Sequence, residues 1–348
     1  MKILYSIQAT GNGHIARAAE IMPYLTQYGE VDVFLSGSNS NLAVNLPVKY
    51  RSKGVSLFYG NHGRLDYKKI YNEFSFLRMC KEARALPVED YDIILNDFES
   101  ITALACKIKN VPSVNFGHQA SFYSKNTPLS ETRDWLGETI LRHYAKATAY
   151  VGLHFEPYDD FIFNPIIKQD ILSAEPSDKG HITVYLSHYS DEMVAAQLKN
   201  VDGVRFEVFS KKAAAVTVDG NITYMPVSAA AFNQSMIHCH GMITGAGFET
   251  PAEILYMGKK LLCLPIRGQY EQWCNAAALK RFNVPVIPVM DDKFATTVKN
   301  WLNAPYPHRL QLTHTTYDIV QHAVQTARAL KPAGIAAAKK SRVVKEFA

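Results

Sequence analysis

GMITGAGFETPAEILYMGKKLLCLPIRGQYEQWCNAAALKRFNVPV, residues Gly241 to Val286, is the stretch on which the reading of the fold turns. It begins with a short apolar strand, GMIT, and turns through Gly245, Ala246 and Gly247. A helix starts near Thr250, and a second apolar strand, KLLCLP, follows and ends at Pro265. A strand, a helix and a strand joined this tightly form a βαβ unit, so the two strands are expected to be parallel. Thr250, Pro251 and Glu253 have the T-x-x-E form with proline at the first helical position, which predicts a capping box. The same atoms suit an anion, because small residues admit a ligand to free N–H groups at a helix start, where a diphosphate would sit. Glu271, Gln272 and Asn275 then follow the second strand. Parallel sheets bind ligands beyond the carboxyl ends of their strands, and an acid–amide pair there suits sugar hydroxyls.

The same alternation runs outward in both directions. Upstream lie the strand patterns HITVYLS, VRFEVFS and NITYMP, and before them KILYSI, VDVFL, YDIILND, PSVNF and AYVGLHF, with helical patterns at Ile15–Tyr28, ESITALACKIKN and Glu131–Ala147. This predicts an α/β protein with two Rossmann-like, doubly wound domains facing across a cleft. The expected boundaries are 1–164 for the first domain, 165–179 for a linker rich in proline and polar residues, and 180–312 for the second. A helix over 313–330 is expected to pack back on the first domain, followed by a basic tail over 331–348.

Composition limits the function classes. A chain of 348 residues with 47% hydrophobic and 20% charged residues can bury two ordinary cores. A formal net charge of +5 fits an anionic substrate and does not call for nucleic acid. The five cysteines lack C-x-x-C spacing, as expected of free thiols in a reducing compartment. The first apolar run is too short for a signal peptide and no run reaches the roughly 18 residues of a membrane span, so the expected location is cytoplasmic. His238, Cys239 and His240 point in different directions and lack a fourth ligand, so no metal site is expected.

Immediately after the first strand, QATGNGHIARA supplies Gly11, Gly13 and His14. Ala16 stands where the strict dinucleotide fingerprint has its third glycine, and no acidic residue opens the SGSNSN stretch after VDVFL. A nicotinamide-cofactor reading is therefore disfavoured.

Taken together, the order strand, small-residue turn, T-x-x-E, GKKLLCLP, E-Q, N-A resembles the donor-binding half of GT-B glycosyltransferases. It is most similar to the nucleotide-sugar-dependent group that includes the peptidoglycan lipid-intermediate N-acetylglucosaminyltransferase, diacylglycerol galactosyltransferases and UDP-glucosyltransferases. GNGHIARA, LNDFESITALA and VPSVNFGHQ are similar to the first half of that family, in the same order. The resemblance implies an N-terminal acceptor-binding domain and a C-terminal domain for a UDP-sugar co-substrate, without a further cofactor. It implies that Gly247 and Thr250 touch the diphosphate, Glu253 the ribose, and Glu271 and Gln272 the donor sugar, with the uracil against Tyr224–Ala231. The chain departs at Gly245, where many members carry His or Arg. Diphosphate binding would lean instead on helix N–H groups and on Ser187, His188 or Arg267. If Glu253 closes the capping box, it is not free for ribose.

In that architecture GNGH faces the donor across the cleft. His14 becomes the general base for an acceptor hydroxyl, with a helix-start residue bonded to backbone as the competing reading. Asp97 either orients His14 or caps the following helix. Gly11, Gly13, His118 and Gln119 fall on the acceptor side. The expected reaction is inverting, metal-independent hexosyl transfer to a small-molecule, lipid or glycan hydroxyl. The alternatives are a UDP-sugar 2-epimerase or hydrolase, which needs Asp97 and Glu99 both in the cleft, and a non-catalytic nucleotide-sugar or NAD-binding protein. Phe58–Arg84 reads as an amphipathic core helix with Ile70, Phe74 and Leu77 on one face. Its basic residues admit peripheral contact with the inner face of a membrane.

Overall fold

The structure, a computed structural model, describes residues 1–9, 11–37, 46–54 and 75–330. Strand β1 (Lys2–Gln8) is buried from Ile3 onward, as a parallel strand covered on both faces must be. It pairs in parallel with β2 (Glu30–Ser36) on one side and β4 (Ile93–Asp97) on the other. With β3 (Val48–Ser52), β5 (Val114–Gly117), β6 (Ala149–Leu153) and β7 (Ile162–Phe163), the described strands make one parallel sheet of order 3-2-1-4-5-6-7. A second sheet of order 10-11-9-8-12-13 is built from β8 (His181–Tyr185), β9 (Arg205–Ser210), β10 (Thr217–Asp219), β11 (Ile222–Pro226), β12 (Gly241–Thr244) and β13 (Lys260–Cys263). Only the edge pair β10–β11 is antiparallel among these described pairings.

The described α-helices are α1 (Asn12–Leu25), α2 (Phe76–Ala85), α3 (Ser100–Lys109), α4 (Trp135–His143), α5 (Gln169–Leu172), α6 (Asp191–Leu198), α7 (Ala229–His238), α8 (Glu249–Tyr256), α9 (Tyr270–Lys280), α10 (Phe294–Asn303) and α11 (Thr316–Ala329). Helix α4 is shorter than the pattern over 131–147 suggests, because the Asp134 side chain accepts from Leu136 N and Gly137 N and starts the helix there. Residues 165–179 are more than a spacer, since they hold α5 and bury Ile166, Ile167 and Ile171. Helix α11 begins at a capping box between Thr315 and Asp318 and packs on α1 and on β4, β5 and β6. A single apolar cluster spans both sheets, and Phe155 and Phe248 meet within it at 5.1 Å between ring centroids.

Two local expectations are corrected. Helix α8 starts one residue before Thr250, with Phe248 at the N-cap and no side-chain cap, so the T-x-x-E capping box does not form. In the Phe58–Arg84 segment, Ile70, Phe74 and the lysines 68 and 69 lie outside the described residues. Leu77 does not face the core: α2 buries Met79 and Ala83, while Phe76 and Leu77 are exposed. The basic tail also lies outside the described residues. Among those described, no helix is long and apolar enough to cross a membrane.

Candidate functional site

Parallel pairing of β1 with β4 sets Ile7 beside Asp97, so the loop into α1 and the end of β4 emerge at the same sheet edge. His14, in the first turn of α1, reaches Asp97 there, with Nδ1 2.9 Å from Oδ1. Asp97 is fully buried and the His14 side chain is 14% exposed, so the ring retains one face toward the cleft. Burial works to raise the Asp97 pKa, but Arg17 and His14 outweigh it and hold the carboxyl below its ordinary value. Burial likewise opposes a charged His14, yet Asp97 outweighs it and raises the imidazole pKa.

Arg17 completes this cluster. Its Nη2 lies 2.8 Å from each Asp97 oxygen, and its Nη1 donates to Glu249 of α8. A Cβ on Gly13 would come within 2.5 Å of the Glu249 carboxylate, so a side chain there would push that carboxylate aside. Neither Arg17 nor Glu249 was anticipated from the sequence. The available signals were that Arg17 follows His14 by three residues, on the same helix face, and that Glu249 stands between Gly247 and Thr250.

The competing role for Asp97 is not realised, because Glu99 caps α3, accepting from Ile101 N and Thr102 N. Glu99 is fully buried and does not line the cleft, so the two inward carboxylates that an epimerase reading needs are not presented. Between them Phe98 adopts φ 56° and lines the cleft. It is held there by reciprocal bonds between Asn96 and Glu99 of 2.7 and 2.8 Å. A bulky residue in the left-handed region persists only where its surroundings impose it.

The opposite wall comes from the second sheet. Gly245, Gly247 and Thr250 line the cleft with Ser187, His188, Glu271 and Gln272. A Cβ on Gly247 would meet nothing within 4 Å, which leaves open space in front of the first turn of α8. A Cβ at Gly245 would press on Gln272 Oε1 at 3.3 Å. That oxygen is already committed, accepting from Ala246 N at 3.1 Å and Ile266 N at 3.0 Å. Gln272 therefore ties the loop after β12 to the loop after β13 through its Oε1, and its amide nitrogen is not used in these bonds. Burial pushes His188 down to about 4, so it is neutral and anion attraction does not come from it. Glu253 is not part of the lining: it is buried behind Thr250, with Lys168 Nζ 3.1 Å from its carboxylate.

His118 and Gln119 bridge the halves. His118 Nδ1 lies 2.9 Å from Leu153 O and Nε2 2.8 Å from Asn275 Oδ1, and the ring stacks on Phe248 at 3.9 Å. It is almost wholly buried, and burial lowers its pKa, so it serves more as a tie than as an exposed contact. Gln119 Nε2 donates to Glu271 Oε2 at 3.1 Å and lies 3.5 Å from His14 Nε2. The cleft so enclosed, also lined by Gly11 and Gly13, has a volume of about 680 Å³, in the ordinary range for small-molecule sites. A second groove of about 590 Å³ between α6 and β10 holds only Tyr224, the first residue of the expected uracil loop, among the candidate residues. The cleft is the functional candidate because it gathers side chains from both sheets. Arg267 and the expected uracil loop, Tyr224–Ala231, are not among the residues lining it. His238 and His240 bond Ser177 and Asp178 respectively, away from the cleft.

The profile of a family described as glycosyl transferase family 1 matches residues 1–304. No curated protein matches the chain by sequence. Among solved structures, Arabidopsis thaliana UGT89C1 complexed with quercetin superposes with a TM-score of 0.60 at 15% identity, covering 94% of this chain and 99% of that one. LpCGTa in complex with UDP gives 0.56 at 12% identity, covering 96% and 95%. The spinosyn forosaminyltransferase SpnP gives 0.52 at 12%, covering 94% of each chain. These likenesses show the fold, which is GT-B.

Proposed function

The chain belongs to glycosyl transferase family 1, and from that premise we propose that it moves a hexosyl group from a UDP-sugar to an acceptor hydroxyl. The observation that carries this reading is the His14–Asp97 pair, set across a 680 Å³ cleft from the open first turn of α8. UDP as the carrier is supported by the neighbour UGT89C1, which has been captured with UDP and with UDP-L-rhamnose. The acceptor-side domain is taken as 1–164 and the donor-side domain as 180–312, joined by 165–179.

In this scheme Asp97 accepts a hydrogen bond from His14 Nδ1–H, which leaves the lone pair on Nε2 facing the cleft. Nε2 takes the acceptor hydroxyl proton while that oxygen bonds to the anomeric carbon and the bond to the diphosphate breaks. One displacement with a general base and no enzyme nucleophile inverts the anomeric centre. The departing diphosphate gains charge, which N–H groups at the start of α8 would receive beside Gly247 and Thr250. The Gln272 amide nitrogen and Glu271 are assigned to the sugar. Ribose hydroxyls reaching behind Thr250 would take over a Glu253 bond that Lys168 now makes. Metal independence is part of the proposal, and transfer undiminished by EDTA is its expected outcome. Contact with an anionic membrane surface is assigned to exposed Phe76 and Leu77 beside Arg78, tested by vesicle co-sedimentation of the full chain.

The test is a panel of UDP-sugars with and without a mixed set of hydroxyl acceptors, read by mass spectrometry. Glycosylated product that is lost in His14→Ala is the expected result. Turnover of a UDP-sugar without acceptor would instead identify an epimerase or hydrolase.

A further inference from the structure

His14 Nδ1 has two neighbours at 2.9 Å, Asp97 Oδ1 and Arg17 Nη2. One nitrogen cannot both donate to the first and accept from the second. Donation to Asp97 leaves the lone pair on Nε2, toward the cleft. Acceptance from Arg17 would turn the lone pair inward and place a proton on Nε2, where it could not receive another. What commits Arg17 decides between these tautomers.

We infer that Glu249 and Arg17 are positioning residues that tie the tautomer of His14 to the seating of α8 against the β1–α1 loop. Arg17 is 3% exposed, and its Nε and Nη2 fork onto Asp97 at 3.2 and 2.8 Å. Glu249 takes the remaining Nη1 and keeps the guanidinium turned so that Nη2 is spent on Asp97 and not on the ring. Because Glu249 belongs to α8, the base is set only when the donor-side helix is in place. The glycines fit this arrangement, since a Cβ on Gly13 would meet Glu249 at 2.5 Å and one on Gly117 would meet Asp97 Oδ1 at 2.6 Å. Counting Arg17 against Asp97 and Glu249, the cluster carries one net negative charge while His14 is neutral. Protonation of His14 during the reaction therefore balances it. The other titratable groups nearby are Tyr5 of β1, His118 after β5 and Glu271 of α9, which reaches His14 through Gln119.

The inference rests on the reading of His14 as the general base, and the experiment separates the two. Full-length protein labelled with 15N-histidine is titrated by long-range 1H–15N correlation, with His14→Gln assigning the signal. Wild type is expected to show the Nδ1–H tautomer. Glu249 raises the His14 pKa and Arg17 lowers it, so Glu249→Gln should shift the titration to lower pH and Arg17→Gln to higher pH. The Nε2–H form is expected to gain population in Glu249→Gln. Transfer by Glu249→Gln should lose about tenfold to a hundredfold in kcat with donor KM little changed, and Glu249→Asp should recover part of it. Glu249 is partly exposed, so its variant keeps the test open if Arg17→Gln does not fold. An Nε2–H wild type, or an unchanged tautomer and titration in Glu249→Gln, would overturn the inference. Retained transfer by His14→Ala would overturn the general-base reading and leave the tautomer result standing.

Discussion

His14 Nδ1 and Asp97 Oδ1 lie 2.9 Å apart although 83 residues separate them along the chain. The pairing of β1 with β4 brings them together, and Asp97 is wholly buried where they meet. An acid so placed makes the imidazole a better proton acceptor and orients it. His14→Ala is expected to reduce kcat by about 10²–10⁴-fold, the usual worth of a positioned base. Asp97→Asn should reduce it comparably while UDP affinity, measured by calorimetry, stays within about twofold.

The pH profile follows from the same pair. Asp97 outweighs burial and raises the His14 pKa above its ordinary value near 6.5. In the proposed reaction His14 must be neutral to take the proton, so kcat/KM is expected to fall as pH drops through that raised value. The linkage to stability has the opposite sense: the gain from charged His14 is present below the unfolded pKa and is lost as pH rises through the folded one. Thermal unfolding from pH 5 to 9, comparing wild type with His14→Gln, checks the sign.

Gln272 offers a test of loop positioning. Its Oε1 accepts from Ala246 N and Ile266 N, both buried. Gln272→Ala leaves two N–H groups without that partner, at about 1–3 kcal/mol each, and frees the glycine turn. A lower unfolding midpoint together with a raised donor KM is expected. Gln272→Glu keeps an acceptor oxygen and should recover most of the stability.

Gly137 tests the seam between the halves. A Cβ there would come within 2.5 Å of the Tyr270 side chain, whose hydroxyl donates to Glu138 at 3.1 Å. Gly137→Ala should destabilise by about 1–3 kcal/mol through overpacking, read in denaturant unfolding. A larger residue that prevents α4 from meeting α9 should also raise donor KM.

Much of this architecture was legible in the chain. Apolar runs such as KILYSI and GMIT can be strands only in a sheet covered on both faces, and each is buried from end to end apart from Lys2. The edge strands escaped because β7 and β10 are short, β10 is exposed along its length, and β3 has no fully buried residue to give a continuous apolar run. The cap of α8 was misjudged by two residues, since Thr250, Pro251 and Glu253 satisfy the local cap pattern while Phe248 is anchored by its stacking on His118. Tertiary packing outweighed a weak local preference there.

Local patterning by itself determined the central strands, most helices and the glycine turns, because these depend on neighbours a few residues away. The resemblance to a family, and not patterning alone, grouped His14, Asp97, Gly247 and Glu271 as one expected site. Only the tertiary structure decided which of these side chains meet. Arg17 and Glu249 are 232 residues apart and become partners through the meeting of two sheets. The same meeting turns His118 into a tie to Asn275, while packing of the 165–179 segment on α8 pairs buried Glu253 with Lys168. Long-range electrostatics and desolvation set those roles, and neither is written in any short stretch of sequence.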